Sequence, residues 1–486
     1  MSPRPRIASV SVATAAALGV SLVIATSPPV TADPCTGAAA DAQPPPAQNV
    51  QIPNPSQFRP YLPIGHMPAG ANPQAPLPKL GQLPLALLKA LTPRSATPPQ
   101  SAPVQQQAAV APPPNPNNQQ PQNAPAPAAP QPDAAPPPDA IGAPATSIVG
   151  WVTGPDSPGD TIHRFAISGT DLGLMWDNGD SVNKQVMIAF GDTSGYCGIP
   201  GQQWRYNVLF RSSDRSLSQT INVPNGVVNN KYSGSPVWRP GISKQIINPI
   251  NWTARETGII PTAGVSVGNT QYLNFMSIKS WDNPGSWSTN FSAIAVSPDN
   301  GQNWGIYPGT IRPASDGSVP RVRYVPGNEN FQMGAFLKSG DGFVYSFGTP
   351  TGRGGPAFVS RVPQGLVPDL TKYQYWNSDN GSWVPGNPAA ATPVIPAPVG
   401  EMSVQYNTYL KKFLALYCNG ANDVVARTAP APQGPWGPEQ LIVPSMQIPG
   451  GIYAPFLHPW STGKDVYFNL SLWSAYNVML MHTVLP

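Results

Sequence analysis

The sequence predicts an all-β fold for roughly its last 340 residues, and three observations carry that prediction. The apolar segments are short and rich in Val, Ile, Phe and Tyr, as strands are. No long segment places apolar residues at helical period. A loose unit of three strand-like segments recurs five times. Five three- or four-stranded units describe a five-bladed β-propeller, here preceded by a signal peptide and a disordered Pro-rich arm.

The chain divides by composition. Residues 1–32 carry Arg4 and Arg6, then the apolar run IASVSVATAAALGVSLVIA, then Val30-Thr31-Ala32. That order is a secretory signal peptide with a small-residue cleavage site; an uncleaved N-terminal anchor is the alternative. Residues 33–146 hold 30 of the 66 prolines, in runs such as APPPNPNNQQPQNAPAPAAPQ. A segment of that composition cannot bury enough apolar surface to fold and is expected to be extended. Within it, PLALLKAL (84–91) has helical Leu spacing and reads as a solvated, weakly helical stretch; a short helix docking on the folded domain or on a cell-wall partner is the alternative. Residues 147–486 form the propeller. Six of the 27 Lys and Arg and four of the 23 Asp and Glu lie before residue 147, so the domain is close to neutral. Near-neutrality argues against a nucleic-acid partner.

The blades are assigned in order. Blade one is GTDLGLMWD, QVMIAFGDT and YNVLFRSSD. Blade two is IIPTAGVSV, QYLNFMSIKSW and NFSAIAVSPDNGQNW. Blade three is FQMGAFLKS, GFVYSFGTPTG and PAFVSRVP; blade four is GEMSVQYN, KKFLALYCN and DVVARTAP. Blade five is GGIYAPFLHP, DVYFNLSLW and YNVMLMHTVL. Tyr206-Asn207-Val208 against Tyr476-Asn477-Val478 is the sharpest internal match. SPDNGQNW (297–304) has the S-x-D-x-G-x-x-W form of an Asp-box, a structural hairpin turn to which no chemistry is assigned.

The stretch VMIAFGDT ends a buried strand on a carboxylate, Asp192, while Asp171 opens the strand before it. Antiparallel neighbours place the start of one beside the end of the next, so both acids are expected at one end of blade one, by the central funnel. The same logic brings Asn207, Asn290, Thr349, Glu401, Asp423 and Asn477 to that end, rimmed by loops carrying Tyr196, Trp204, Trp281, Trp287 and Arg353. A polar centre with an aromatic rim suits a sugar, whose hydroxyls need partners and whose C–H face lies on an indole.

Two carboxylates facing one cleft are the minimum for glycoside hydrolysis: one protonates the leaving oxygen, the other activates water or attacks the anomeric carbon. Asp171 and Asp192 are the candidate catalytic pair; Asn207, Asn290, Trp204, Trp281, Arg353 and Glu401 are the candidate substrate-binding residues. Other readings stand beside these. Gly-Asp-Thr at a strand end is often an Asx-turn. Glu401, one of four glutamates, suits a third carboxylate or a core-edge partner for an arginine. Cys197 and Cys418 suit a disulfide or two free buried thiols. No zinc-ligand spacing, G-x-S-x-G elbow or phosphate loop occurs, and the chemistry calls for no cofactor or metal.

GTDLGLMWD, AFGDT, WRYNVLFRSSD, the block from IIPTAGVSV to SPDNGQNW, and FGTPTGRGG resemble a group of secreted actinobacterial proteins long catalogued as a domain of unknown function. Members of that group are assigned as endo-D-arabinofuranases, glycoside hydrolases acting on the D-arabinan of mycobacterial arabinogalactan and lipoarabinomannan. The resemblance spans about residues 160–486 and implies a five-bladed propeller with acidic catalytic residues in blade one, matching Asp171 in G-T-D-L-G and Asp192 in F-G-D-T. The chain is expected to be a monomer, secreted or held in the cell envelope, with a polysaccharide substrate and a Pro-rich arm, outside the span of the resemblance, that associates with the wall. A non-catalytic carbohydrate-binding propeller is the alternative.

Overall fold

The computed structural model describes the backbone of residues 59–60 and residues 145–195, 204–282 and 286–486. The expected signal peptide, nearly all of the Pro-rich arm, the 84–91 stretch, Tyr196 and Cys197 lie outside the described residues. The fold is a five-bladed β-propeller.

Blade one is Leu172–Asp177, Val186–Phe190 and Val208–Ser212. Blade two is built on the long strands Gly258–Val267, Thr270–Trp281 and Trp287–Ser297, extended by Gly305–Ile306 and Arg312–Pro313. Blade three has five strands, Met333–Lys338, Phe343–Thr349, Phe358–Pro363, Gln374–Asn377 and Ser382–Pro385. Blade four has four, Met402–Asn407, Lys412–Cys418, Val424–Ala429 and Gln440–Val443. Blade five is Ile452–Leu457, Asp465–Leu472 and Asn477–Val484. Its outer strand, Ala145–Trp151, comes from the other end of the domain and pairs antiparallel with Asn477–Val484. This strand was not assigned to a blade from sequence. It closes the ring by tying the first described segment of the domain to its last strand.

The apolar runs follow from this architecture. Five buried clusters lie between consecutive blades, and most strands feed two of them. In Val186–Phe190, Val186, Ile188 and Phe190 pack toward blade five, whereas Met187 and Ala189 pack toward blade two. Side chains alternate along a strand, so burial on both faces removes the polar positions and leaves a continuous apolar segment. The first strands of all five blades line the central channel, which encloses a cavity of about 1020 Å³ counting its open mouth.

Among the described residues blade one has three strands, and a buried arginine anchors its outer edge. Arg211 donates to the carbonyls of Asn300, Ser233 and Asn230 and to Gln302 Oε1. The Asp-box is structural, as expected. Asp299 accepts from Ser297 Oγ (2.7 Å) and from the Asn303 backbone (2.9 Å), and Trp304 is buried with its indole on the Gly301 carbonyl. Cys418 is a free, buried thiol.

Deleting the chain through Trp151 exposes the edge of Asn477–Val484 and opens the ring. The melting temperature followed by circular dichroism is expected to fall by about 5 °C or more.

Candidate active site

The register of blade one fixes the two acids. Leu172 lies opposite Phe190, so Asp171 and the Gly191-Asp192 pair sit side by side just past the paired strands. Gly191 N–H donates to the Asp171 carbonyl (3.2 Å), and the Thr170 and Thr193 hydroxyls bond across the gap (2.8 Å). Gly191 is required here: a Cβ at this position would lie 2.4 Å from Asp171 Oδ1.

Irregular backbone aims the functional groups. The first strands of blades one, two and five each carry a register break, at Leu172/Leu174, Pro261/Ala263 and Tyr453/Phe456, whereas those of blades three and four run regularly. Leu172 (φ 69°) follows Asp171, Ala454 (φ 54°) follows Tyr453, and Tyr476 itself has φ 48°. A non-glycine residue in this region costs roughly 1–2 kcal/mol. Part of that is offset at Leu172, whose N–H donates to Ser471 Oγ on blade five (2.9 Å). Bulges that redirect side chains are a feature of functional sites.

Both carboxylates are buried, Asp171 to 9 % and Asp192 to 2 % exposure. Asp171 Oδ2 accepts from the Tyr453 hydroxyl (3.0 Å). Asp171 Oδ1 and Asp192 Oδ1 have no protein partner among the described residues. Burial pushes the Asp171 carboxyl up to about 7, against the opposing pull of the Tyr453 hydrogen bond; Glu401 adds to the rise and Arg353 opposes it. Burial raises Asp192 well above the usual carboxylate range, and the neighbouring Asp171 charge raises it further. The Asx-turn alternative does not hold for Asp192 Oδ1, which no backbone N–H of the described residues satisfies.

A cleft of about 530 Å³, counting its open mouth, lies over this pair. Its wall is largely apolar, from Leu172, Ile260, Met276, Met333 and Phe456. Trp281 and Trp287 face each other across the hairpin that overhangs it, ring centroids 6.0 Å apart and edge to face. Both indole N–H groups are buried without a protein partner among the described residues. Arg353 and Glu401 form a two-pronged ion pair on the same wall (2.8 and 2.5 Å), with the guanidinium against the Trp287 ring (5.3 Å) and the Tyr453 ring (5.0 Å). Glu401 therefore combines the two roles the sequence left open, a third carboxylate at the cleft and an arginine partner. Among the described residues, no three His, Cys, Asp or Glu side chains are grouped to hold a metal ion.

Of the expected residues, the cleft brings together Asp171, Asp192, Trp281, Arg353 and Glu401. Asn207 is a correction. Its amide donates to the Ile247 and Ile259 carbonyls, and its oxygen accepts from the Ile246 and Ile247 N–H groups, so none of it remains for a ligand. Asn290 is another, its amide donating to the Arg255 carbonyl and Ser277 Oγ. Trp204 is not among the residues lining the cleft. The physical reason is radial. Strand ends set height along the axis, but Asn207 and Asn290 belong to third strands, away from it. Trp287, also on a third strand, reaches the cleft because the long hairpin projects beyond its blade. Tyr453 and Tyr476 were missed, since the partners they bind are 282 and 284 residues away.

A five-bladed propeller with two buried carboxylates under an aromatic overhang is the class that fold and site define. The chain belongs to the family described as a domain of unknown function, DUF4185, whose model matches residues 156–482. It is 26 % identical over 332 residues to notoamide biosynthesis cluster protein J' of Aspergillus versicolor, covering 64 % of this chain and 83 % of that protein. It is likewise 26 % identical over 329 residues to notoamide biosynthesis cluster protein J of Aspergillus sp. (strain MF297-2), covering 64 % of this chain and 82 % of that protein. Among solved structures it is similar to a glycosyl hydrolase from Bacteroides ovatus (TM-score 0.37, 11 % identity, 68 % of this chain and 90 % of that one). It is also similar to a GH43_1 enzyme from Xanthomonas citri (TM-score 0.37, 12 % identity, 67 % and 88 %).

Two outcomes are expected of the acid pair. Asp171 holds its proton more tightly folded than unfolded, so its contribution to stability is full below about pH 4 and is lost as pH rises through about 7. Asp171→Asn removes that loss, so its stability relative to wild type should grow by ~3 kcal/mol between pH 4 and 8 in urea unfolding. Gly191→Ala drives a Cβ into the Asp171 carboxylate and should cost ~1–3 kcal/mol in the same measurement.

Proposed function

We propose that the chain is an exported glycoside hydrolase cutting internal D-arabinofuranosyl linkages of cell-envelope arabinan, in arabinogalactan and lipoarabinomannan. One observation carries the catalytic part of this reading. Among the described residues, the unsatisfied polar atoms at the cleft are two carboxylate oxygens and two indole N–H groups, on Asp171, Asp192, Trp281 and Trp287. A sugar hydroxyl can accept from an indole and donate to a carboxylate, so the set is complementary to a carbohydrate. The resemblance of the blade motifs to the endo-D-arabinofuranases supports the choice of sugar.

The two carboxyls divide the work. Asp192, whose protonated form is favoured by burial and by the neighbouring Asp171 charge, is the acid that delivers its proton to the glycosidic oxygen. Asp171, raised to about 7 and held by the Tyr453 hydroxyl, is the partner that ionises and activates water or attacks the anomeric carbon. Trp281 and Trp287 offer ring faces and donors to the sugar, and the Arg353–Glu401 pair offers further polar contact. Export by the signal peptide delivers the domain to its substrate, and the Pro-rich arm spaces it from the membrane within the wall.

Incubating the purified protein with isolated arabinogalactan should release arabino-oligosaccharides by chromatography. Asp192→Asn should lower that rate by ~10²-fold or more. Absence of products, with the polymer still retained by the protein, would identify a carbohydrate-binding propeller instead.

A further inference from the structure

Two tyrosines flank the two aspartates, and they are attached differently. The Tyr453 hydroxyl donates to the Asp171 carboxylate at Oδ2 (3.0 Å). The Tyr476 hydroxyl donates to the backbone carbonyl of Asp192 (2.9 Å) and leaves that carboxylate alone. We propose that Tyr453 is the positioning residue that decides which aspartate gives up its proton, holding Asp171 as the carboxylate and leaving Asp192 as the acid. Its consequence for turnover rests on the hydrolase reading above; its effect on ionisation does not.

Tyr453 is itself tightly placed. It lies at the register break of Ile452–Leu457, next to Ala454 in the left-handed region, a backbone kept by surrounding contacts rather than by local preference. Its ring carries the Arg353 guanidinium at 5.0 Å, and Arg353 is fixed in turn by both oxygens of Glu401. The chain Glu401–Arg353–Tyr453–Asp171 thus joins blades three, four and five to blade one. A hydrogen bond donated to the ionised form of a carboxyl favours that form. Asp192 has no such donor at Oδ1 among the described residues.

The other groups facing the pair leave the choice to Tyr453. Asp171 is faced by Glu401, Arg353 and Tyr476. Asp192 is faced by Asp171, Tyr206 and Tyr476, with Glu256 beyond Tyr206. Burial pushes the phenols of Tyr453 and Tyr476 well up and Tyr206 to about 12, so each remains a donor through neutral pH. Cys418, behind Arg353 and Glu401, is likewise pushed up by burial.

Tyr453→Phe removes the hydroxyl and keeps the ring against Arg353. Asp171 should then bind its proton about one pH unit more tightly, tenfold in ionised fraction at a fixed pH below its titration. The test follows unfolding of the full chain from pH 4 to 9 in wild type, Tyr453→Phe, Asp171→Asn and the double variant. In wild type, stability is lost as pH rises through about 7. In Tyr453→Phe that loss should move up by about one unit, and on the Asp171→Asn background the substitution should leave the pH dependence unchanged. On arabinogalactan, the acid limb of kcat/KM should move up by the same amount, about tenfold lost at pH 6 and recovered at high pH. A loss of equal size at every pH, or the same shift without Asp171, would overturn the proposal. Absence of wild-type turnover would remove the hydrolase reading while the stability titration still decides the role of Tyr453. Should Tyr453→Phe not fold, ¹³C-tyrosine-labelled wild type replaces it. The Tyr453 Cζ resonance should move with the Asp171 titration and be flat in Asp171→Asn; a flat resonance in wild type overturns the proposal.

Discussion

Every blade of this propeller is wedged between two others, so both faces of its strands must be apolar. That constraint organises the rest of the molecule. Strand interiors are reserved for packing, as in Val186–Phe190, where all five residues are fully buried. Polar chemistry is pushed to the strand ends and the channel. The acid that terminates VMIAF is therefore at the first position where a functional side chain can be offered without opening an inter-blade core.

The position is costly for a carboxylate. Desolvation disfavours the charged form, and a second carboxylate beside it does so again. Among the described residues no cation is placed directly on the acids: Arg353 is committed to Glu401. Instead the fold supplies one neutral donor, from Tyr453, to one of the two acids. Strained backbone at Leu172, Ala454 and Tyr476 holds these groups in place. Such a site lowers stability in exchange for two buried acids in unlike surroundings, one bonded by a tyrosine hydroxyl at Oδ2 and the other beside a like charge.

Much of this was legible in the sequence because it depends on local pattern. Five repeats of short apolar strands gave the blade count, and antiparallel pairing alone put Asp171 beside Asp192. Glu401 was placed at the cleft by the same strand-end logic and Arg353 by its position on a rim loop, without their being known to pair. What was illegible is what the ring closure and radial position decide. The Ala145–Trp151 strand belongs to blade five although it precedes blade one in the chain. Asn207 repeats as Asn477 because both stitch the start of a third strand to an adjoining segment, a structural use that looks like a conspicuous polar site in one dimension. Tyr453 sits inside GGIYAPFLHP, where nothing local distinguishes it from a core tyrosine. Its meaning comes from blade one, reached only when the ring closes.

On the proposed function, the cleft over Asp171 and Asp192 holds the scissile linkage of an arabinan chain. The most direct measurement is a crystal structure of Asp192→Asn, folded but slow, soaked with a D-arabino-oligosaccharide. A sugar ring is expected against Trp281 or Trp287, with a glycosidic oxygen within about 3 Å of the residue-192 side chain and the anomeric carbon facing Asp171. An oligosaccharide bound elsewhere on the propeller, with this cleft left to solvent, would contradict it.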